Sequence, residues 1–551
     1  MTSSLPIADI DPRYALDPAD RNATFVRDQM HFPFPVCPLF QSVHPAVFPV
    51  GYLAAAREID LPIADFQFRF RNNYEYDRVV PVIPQSADEA QIQAQRAEAA
   101  IQRELARMST RWYEEHLPRL RQLLTELAEF RELDPAAPLD PTEVDFLIDR
   151  FVEAWTIHFR IAFPMLVGIQ LFEEFVSDVV GPDADAHAML VGVYSESVAK
   201  GIGITDLAAS ARALGLGSLV LETPSDQLEA RLRESRNGQE LLRQIETYLA
   251  TYGLTQGLFD FADPTWLEDP APLYATMRAY LETGGDNRAA HEAQIRRADA
   301  AIAEMRQYLA AYPEPVRGQF EALLVMARDG SFLQEEHNFY IDQQFFSSFR
   351  LAILALGRQL AWHGRLDQEE DILFLHLDEI RAMLSGDDLD ARGIVAERRA
   401  SYEASKLDVP PPFLGQPPSG PPPNNPLMRA MGRFFGWAPP TTDEPGAVRG
   451  YAASRGQVTA PAFVARSLEA ASAIPAGHVL VTVTTTPSWT PLFGIASAII
   501  TETGGPLSHC AIVAREYGLP AIVGVRGATT RIQTGQLIRV DGTTGEGMLL
   551  S

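Results

Sequence analysis

At 551 residues the chain is too long for one ordinary hydrophobic core, so roughly two to four domains are expected. Its 46% hydrophobic and 21% charged residues describe a folded protein, and a net charge of −26 excludes nucleic acid or an anionic membrane surface as the main partner. Cys37 and Cys510 are too few for a disulfide framework or a zinc cluster, and no basic, apolar leader or long apolar span is visible, so a cytoplasmic protein is expected. Lys200 and Lys406 are the only lysines, which argues against a self-contained nucleotide site gripped by a phosphate-binding lysine.

Taken in chain order, the first 405 residues read as a mainly helical domain. Apolar residues recur at helical spacing over Gln91–Phe130 and Asp145–Val180, and again over Ala188–Leu214, Gln227–Tyr252, Leu273–Glu282, Arg288–Ala311 and Asp342–Gly364. Trp155, Phe159 and Phe163 fall on or near one face of the second stretch. Such a stripe is ordinarily core. Trp155, Phe159 and Tyr74 are nevertheless candidates to line an apolar substrate pocket. His158, His363 and His376 lie in helical patterns that packing or exposure explains.

Residues 406–446 form a linker. The run VPPPFLGQPPSGPPPNNP excludes helix and central strand, and proline-rich chain is extended and semi-rigid, suited to tethering two bodies that move relative to one another. After it, residues 447–551 change character. HVLVTVT, SAII, PAIVGV and QLIRVDG alternate with glycine and proline turns around one helix expected from about Ser508 to Tyr517, giving a small α/β domain.

The stretch TETGGPLSHCAIVAREYGLPAIVG concentrates the chemistry. Gly504-Gly505 permits a tight turn, Ser508 is placed to cap the helix, and His509 falls in its first turn, where backbone N–H groups and the helix dipole favour negative charge. A neutral imidazole there is a nucleophile whose phosphorylated form would be met by backbone donors. Thr501 and Thr503 offer hydroxyls, and Arg515 could reach a phosphate. Thr503, Gly504, Gly505, Ser508 and Arg515 are therefore the phosphate-binding candidates, and Cys510 is read as packing.

GGPLSHCAIVAREYGLPAIVG resembles the phosphohistidine signature of the swivelling domain in phosphoenolpyruvate-utilising enzymes and rifamycin phosphotransferases. GYAASRG, GHVLVTVTTTPSWTPLF and GQLIRVDGTTGEG extend the match. Upstream, FPFPVCPLFQSVHPAVFPVGY, RNNYEYDRV, YGLTQGLFDFADPTWLEDP and LALGRQLAWHGRLDQEEDILFLHLDEI resemble, in order, segments of the acceptor-binding domain of the rifamycin-phosphotransferase-like branch. Where those relatives commonly have Gly-His-Arg, this chain has Gly253-Leu254-Thr255, which implies loss of a polar contact. LQEEHNFYIDQ stands where they carry an Arg-Glu-x-x-Lys-like cluster, though its basic residues are not matched. Phosphoryl transfer to a hydroxyl needs a base and charge compensation; Glu336 or His337 could be that base and Arg350 could offset oxyanion charge.

The resemblance implies that His509 is phosphorylated and passes the group on. It implies further that ATP and Mg2+ are bound by a separate ATP-grasp subunit, as in split enzymes like phenylphosphate synthase, with no cofactor or metal held tightly by this chain. The acceptor would be a hydroxyl-bearing organic molecule, a phenol or natural product. A phosphocarrier or regulatory protein that hands the phosphoryl group to another protein is the alternative.

Overall fold

The computed structural model describes residues 11–181, 184–417 and 426–550, so the centre of the proline-rich run (418–425) lies outside the described residues. The helical body is organised around one long helix, Thr142–Val180, which packs against Pro38–Glu58, Glu314–His337 and the linker helix Pro426–Phe435. Phe151, Trp155, Phe163, Leu166, Ile169 and Phe172 of the long helix are all buried, as their spacing predicts. A second helical cluster, built on Ile204, Leu241, Ile245 and Leu273, holds the helices between residues 196 and 283 together.

A four-stranded sheet covers one side of the body. Its strands are β1 (Thr24–Val26), β2 (Ile63–Arg71), β3 (Tyr74–Pro81) and β4 (Phe413–Gly415), in the order β2-β3-β1-β4. β2 and β3 form a hairpin whose two turn residues, Asn72 and Asn73, both have positive φ, the conformation a two-residue turn demands. β4 comes from the linker and takes the edge position beside β1, the one place in a sheet where proline-rich chain is tolerated.

The C-terminal domain is an eight-stranded mixed sheet. Its strands are β5 (Ala447–Arg449), β6 (Tyr451–Ser454), β7 (Gln457–Val464), β8 (Val479–Thr482), β9 (Ala498–Thr501), β10 (Ala521–Val523), β11 (Leu537–Asp541) and β12 (Glu546–Leu549), in the order β5-β12-β11-β7-β8-β9-β10-β6. β7, β8, β9 and β10 are mutually parallel. β8, β9 and β10 are buried along their whole length, the mark of parallel strands covered on both faces. The helix His509–Glu516 makes the crossover from β9 to β10, so His509 lies at the carboxyl end of the parallel strands, where open α/β sheets place their ligands. Among the described residues no helix is long and apolar enough to cross a membrane.

Candidate active site

His509 is the first residue of its helix, and Ser508 occupies the N-cap position with extended backbone. The Ser508 hydroxyl makes no capping bond and is buried without a partner. Gly504 has φ of +88°, open to glycine at little cost. The turn is not free, however. The Gly505 N–H donates to the Phe434 carbonyl at 2.9 Å and the Leu507 N–H to the Arg433 carbonyl at 3.2 Å, so the end of the linker helix sits directly on it. A side chain at Gly505 would overlap the Arg433 carbonyl. Thr503 Oγ1 donates to the Val483 carbonyl at 3.1 Å, and Arg515 donates to the Pro506 carbonyl at 2.7 Å, so both brace the loop. Burial lowers the Arg515 pKa to about 10, against the pull of Glu173.

The imidazole of His509 is almost fully buried against the helical body. Its Nδ1 lies 3.4 Å from Oε1 of Glu335, on the helix Glu314–His337, and its Nε2 lies 3.4 Å from the Thr490 hydroxyl. Burial pushes the Glu335 carboxyl up, but neighbouring His509, joined by Ser197 and His337, outweighs it and holds Glu335 below the usual range. Neither Nδ1 nor either Glu335 oxygen has a hydrogen-bond partner, so this is a charge contact rather than a formed hydrogen bond. An ionised carboxylate on the Nδ1 side favours the proton there and leaves Nε2 as the nucleophilic nitrogen. Beside this pair is a cavity of about 40 Å³ lined by Glu335, Thr490, Ser197, His187, Arg515 and Glu516. By volume it admits roughly three water molecules. Cys510 is buried, and burial lifts its thiol to about 12, in keeping with a packing role.

Helical rotation separates Glu335 from the two residues singled out by sequence. Glu336 turns to accept the backbone N–H of Glu196 at 2.9 Å; burial, opposed by that N–H and reinforced by the charges of Glu196 and Glu335, raises it to about 7. His337 lies about 200° around the helix from Glu335. Its Nδ1 contacts the Leu333 carbonyl at 2.8 Å, and burial together with neighbouring His158 lowers it to about 4. The structure brings His337 together with Trp155 and Phe159. His158 stacks on Trp155 at 5.5 Å and meets Phe159 at 4.9 Å and His337 at 4.9 Å.

Arg350 and Tyr74 lie elsewhere. Arg350 forms a two-pronged pair with Glu268 at 2.8 and 3.1 Å and donates to the Phe261 carbonyl. Tyr74 donates to the Ser405 carbonyl at 2.9 Å and anchors the end of the helix Ala391–Ser405. At the Gly253-Leu254-Thr255 departure the Thr255 hydroxyl accepts from the fully buried Lys200 ammonium at 2.9 Å, so a polar contact persists there with a different donor.

The two domains make further close contacts around His509. Gln334 donates to the Leu507 carbonyl at 3.2 Å, and Glu516 accepts the Gly192 N–H at 2.9 Å. Tyr517 approaches Gly201 so closely that a Cβ there would stand 2.7 Å from its hydroxyl. Arg433 of the linker helix pairs with Glu173 of the body at 2.5 Å, and Arg429 with Glu174 at 2.8 Å.

Comparison with known proteins matches residues 474–545 to the mobile domain of PEP-utilising enzymes and residues 158–335 to the fourth domain of rifampicin phosphotransferase. The His509–Glu335 contact joins these two matched segments. Similar proteins include chondramide synthase cmdD of Chondromyces crocatus, 30% identical over 97% of this chain and 14% of that protein. The uncharacterized phosphotransferase YvkC of Bacillus subtilis is 30% identical over 77% of the chain and 51% of its own length. Rifampicin phosphotransferase of Streptomyces sviceus is 32% identical over 59% of the chain and 36% of its own length. The chain thus spans about half, or less, of each of these relatives.

Proposed function

We propose that this chain, which belongs to the PEP-utilising, rifampicin phosphotransferase-like family, carries a phosphoryl group on His509 to a hydroxyl-bearing organic acceptor on the helical body. One observation carries the reading: a histidine at a helix start in the mobile domain is docked with Nδ1 against a buried carboxylate of the body. Relatives that are rifampicin phosphotransferases support an organic acceptor. ATP and Mg2+ belong to an ATP-grasp partner subunit, and the mobile domain travels between that subunit and the body.

In the docked arrangement the residues have distinct tasks. Glu335 holds the proton on Nδ1, so that when the P–Nε2 bond breaks the ring leaves as neutral imidazole rather than as an anion. The acceptor oxygen forms the new P–O bond on the side of phosphorus opposite Nε2, and its proton passes to a phosphoryl oxygen of the product. Thr490, beside Nε2, donates its hydroxyl to the phosphoryl oxygens. Burial of the interface limits access of bulk water, which would otherwise compete as acceptor.

The test uses phosphoramidate as donor and the full chain. Wild type gains an acid-labile phosphoryl group that peptide mapping places on His509, with ammonia released, while exposed histidines such as His363 react alike in wild type and His509→Ala. Wild-type labelling that spares His509 overturns the assignment.

A further inference from the structure

The far face of the same helix holds a cluster that phosphoryl transfer does not use. His337 ends the helix Glu314–His337, and the chain continues as a π-helix over Asn338–Phe345. The wider turn brings Asp342, five residues on, to the side of His337; such turns are frequent at functional sites. His158 completes the group from the long helix Thr142–Val180. One ligand atom from each of His158, His337 and Asp342 lies within 4.8 Å of the others.

From this geometry we propose that His158, His337 and Asp342 form a site for one divalent transition-metal ion of the Zn2+ class. This site stands apart from the phosphotransfer reading. Nδ1 of His337 faces the Leu333 carbonyl at 2.8 Å and so carries the ring proton, which leaves Nε2 with its lone pair available. A backbone carbonyl orienting the second nitrogen is the usual support of a metal-bound imidazole. His158 Nδ1 is buried and has no hydrogen-bond partner, although Asp342 Oδ1 stands 3.1 Å away. An ion between them gives the His158 nitrogen a partner and uses the carboxylate as its counter-charge.

Ligand bonds of about 2.0–2.2 Å require neighbouring donors about 3.3–3.5 Å apart in a tetrahedral site, so an ion would draw the three side chains inward from their present separations of up to 4.8 Å. The donor set names the ion. Two imidazoles and one carboxylate suit Zn2+, Co2+ or Ni2+, whereas Mg2+ prefers oxygen ligands alone. Three protein ligands leave a fourth position for an oxygen ligand, water or an organic hydroxyl. Trp155 stacks on His158 and Phe159 meets its edge, walling the site with aromatic surface. The His158 side chain keeps 18% of its exposure, which gives the ion a route in.

The experiment uses the untagged full chain, stripped with a chelator and titrated with CoCl2, then ZnCl2. One equivalent of Co2+ should bind with the absorption of a low-coordinate site, and Zn2+ should displace it. His158→Ala and Asp342→Asn should each weaken Zn2+ binding by more than the ~10–100-fold that loss of an outer-shell partner costs. His363→Ala, an exposed histidine bonded to the Ala137 carbonyl, should bind as wild type. Absence of stoichiometric binding in wild type, or unchanged binding in both ligand variants, overturns the proposal. A readout free of substitutions is the wild-type melting temperature, which should rise with Zn2+ and not with Mg2+. Equal response to both ions also overturns it.

Discussion

Glu335→Gln separates the two halves of the phosphoryl shuttle. The substitution keeps shape and hydrogen-bonding capacity but removes a full negative charge 3.4 Å from His509 Nδ1. The departing ring is neutral, so the contact is that of an N–H with a charged acceptor, worth about 1.5–3 kcal/mol. Gln retains part of this through its carbonyl dipole, so about 1–2 kcal/mol of stabilisation is lost. At about 1.4 kcal/mol per decade this slows transfer from phosphohistidine roughly 5–30-fold. Loading is different, because docked His509 is only 9% exposed and must leave the body to meet a donor. Away from the body Glu335 is not its neighbour. The assay loads the full chain with phosphoramidate, removes the donor, and follows loss of the acid-labile phosphate with phenol as the probe hydroxyl. Loading should change less than about threefold while release slows by about one decade. Release at the wild-type rate, or an equal fall in both steps, refutes Glu335 as the partner of the departing imidazole.

Three further outcomes follow from the same contacts. Glu336→Gln should leave labelling of His509 intact, since Glu336 faces the Glu196 N–H rather than the imidazole; lost labelling would place Glu336 in the loading step. Gly505→Ala should dislodge the linker helix from the phosphohistidine turn, because the added methyl overlaps the Arg433 carbonyl; overpacking of this kind costs about 1–3 kcal/mol, and faster proteolysis near Arg433 would show it. Glu516 gives a pH dependence. Burial, opposed by the Gly192 N–H and aided by the charge of Glu335, raises its docked pKa to about 8 from an ordinary 4.5, so the docked state binds a proton that the undocked state releases between those values. Docking stability therefore falls as pH rises through that window, by at most about 1.4 kcal/mol per unit, and Glu516→Gln should flatten the slope measured by thermal unfolding.

Much of the small domain was legible because its signals are local. A glycine turn, an N-cap position and an apolar helix face sit next to one another in sequence, and the strands are short apolar runs between turn residues. The hairpin β2–β3 was equally local, with Asn72-Asn73 between alternating Phe66, Phe68 and Phe70 and the Tyr74–Tyr76 run, yet it was passed over for a motif resemblance. Other features depend on partners far along the chain. The helix Pro38–Glu58 contains Pro45 and Pro49, which local rules disfavour, and it is held by packing against Thr142–Val180. Glu335 was missed in favour of Glu336 and His337 because the residue type was right but the phase was not: one step along a helix is about 100°, and only the docked domain defines which face counts. Arg350 shows the converse, since its partner Glu268 cannot be told from other carboxylates by spacing alone.

The linker shows why composition is a poor guide to mechanical role. Its proline content predicted a tether, yet β4 is paired into the body sheet as an edge strand. The helix Pro426–Phe435 does not behave as slack chain. It joins Arg429 and Arg433 to Glu174 and Glu173 of the body on one side, and its last carbonyls bind the Gly505 and Leu507 N–H groups on the other. His187 and Arg433 hold Glu173 at about 2, although burial opposes them, so this anchor stays ionised through the neutral range. Backbone donors that could serve a phosphoryl group are therefore engaged by the linker while His509 is docked. Release of the mobile domain has to break these bonds together with the His509–Glu335 contact, which couples exposure of the imidazole to freeing of the N–H groups beside it. On this argument the linker helix sets when the turn can receive a phosphoryl group.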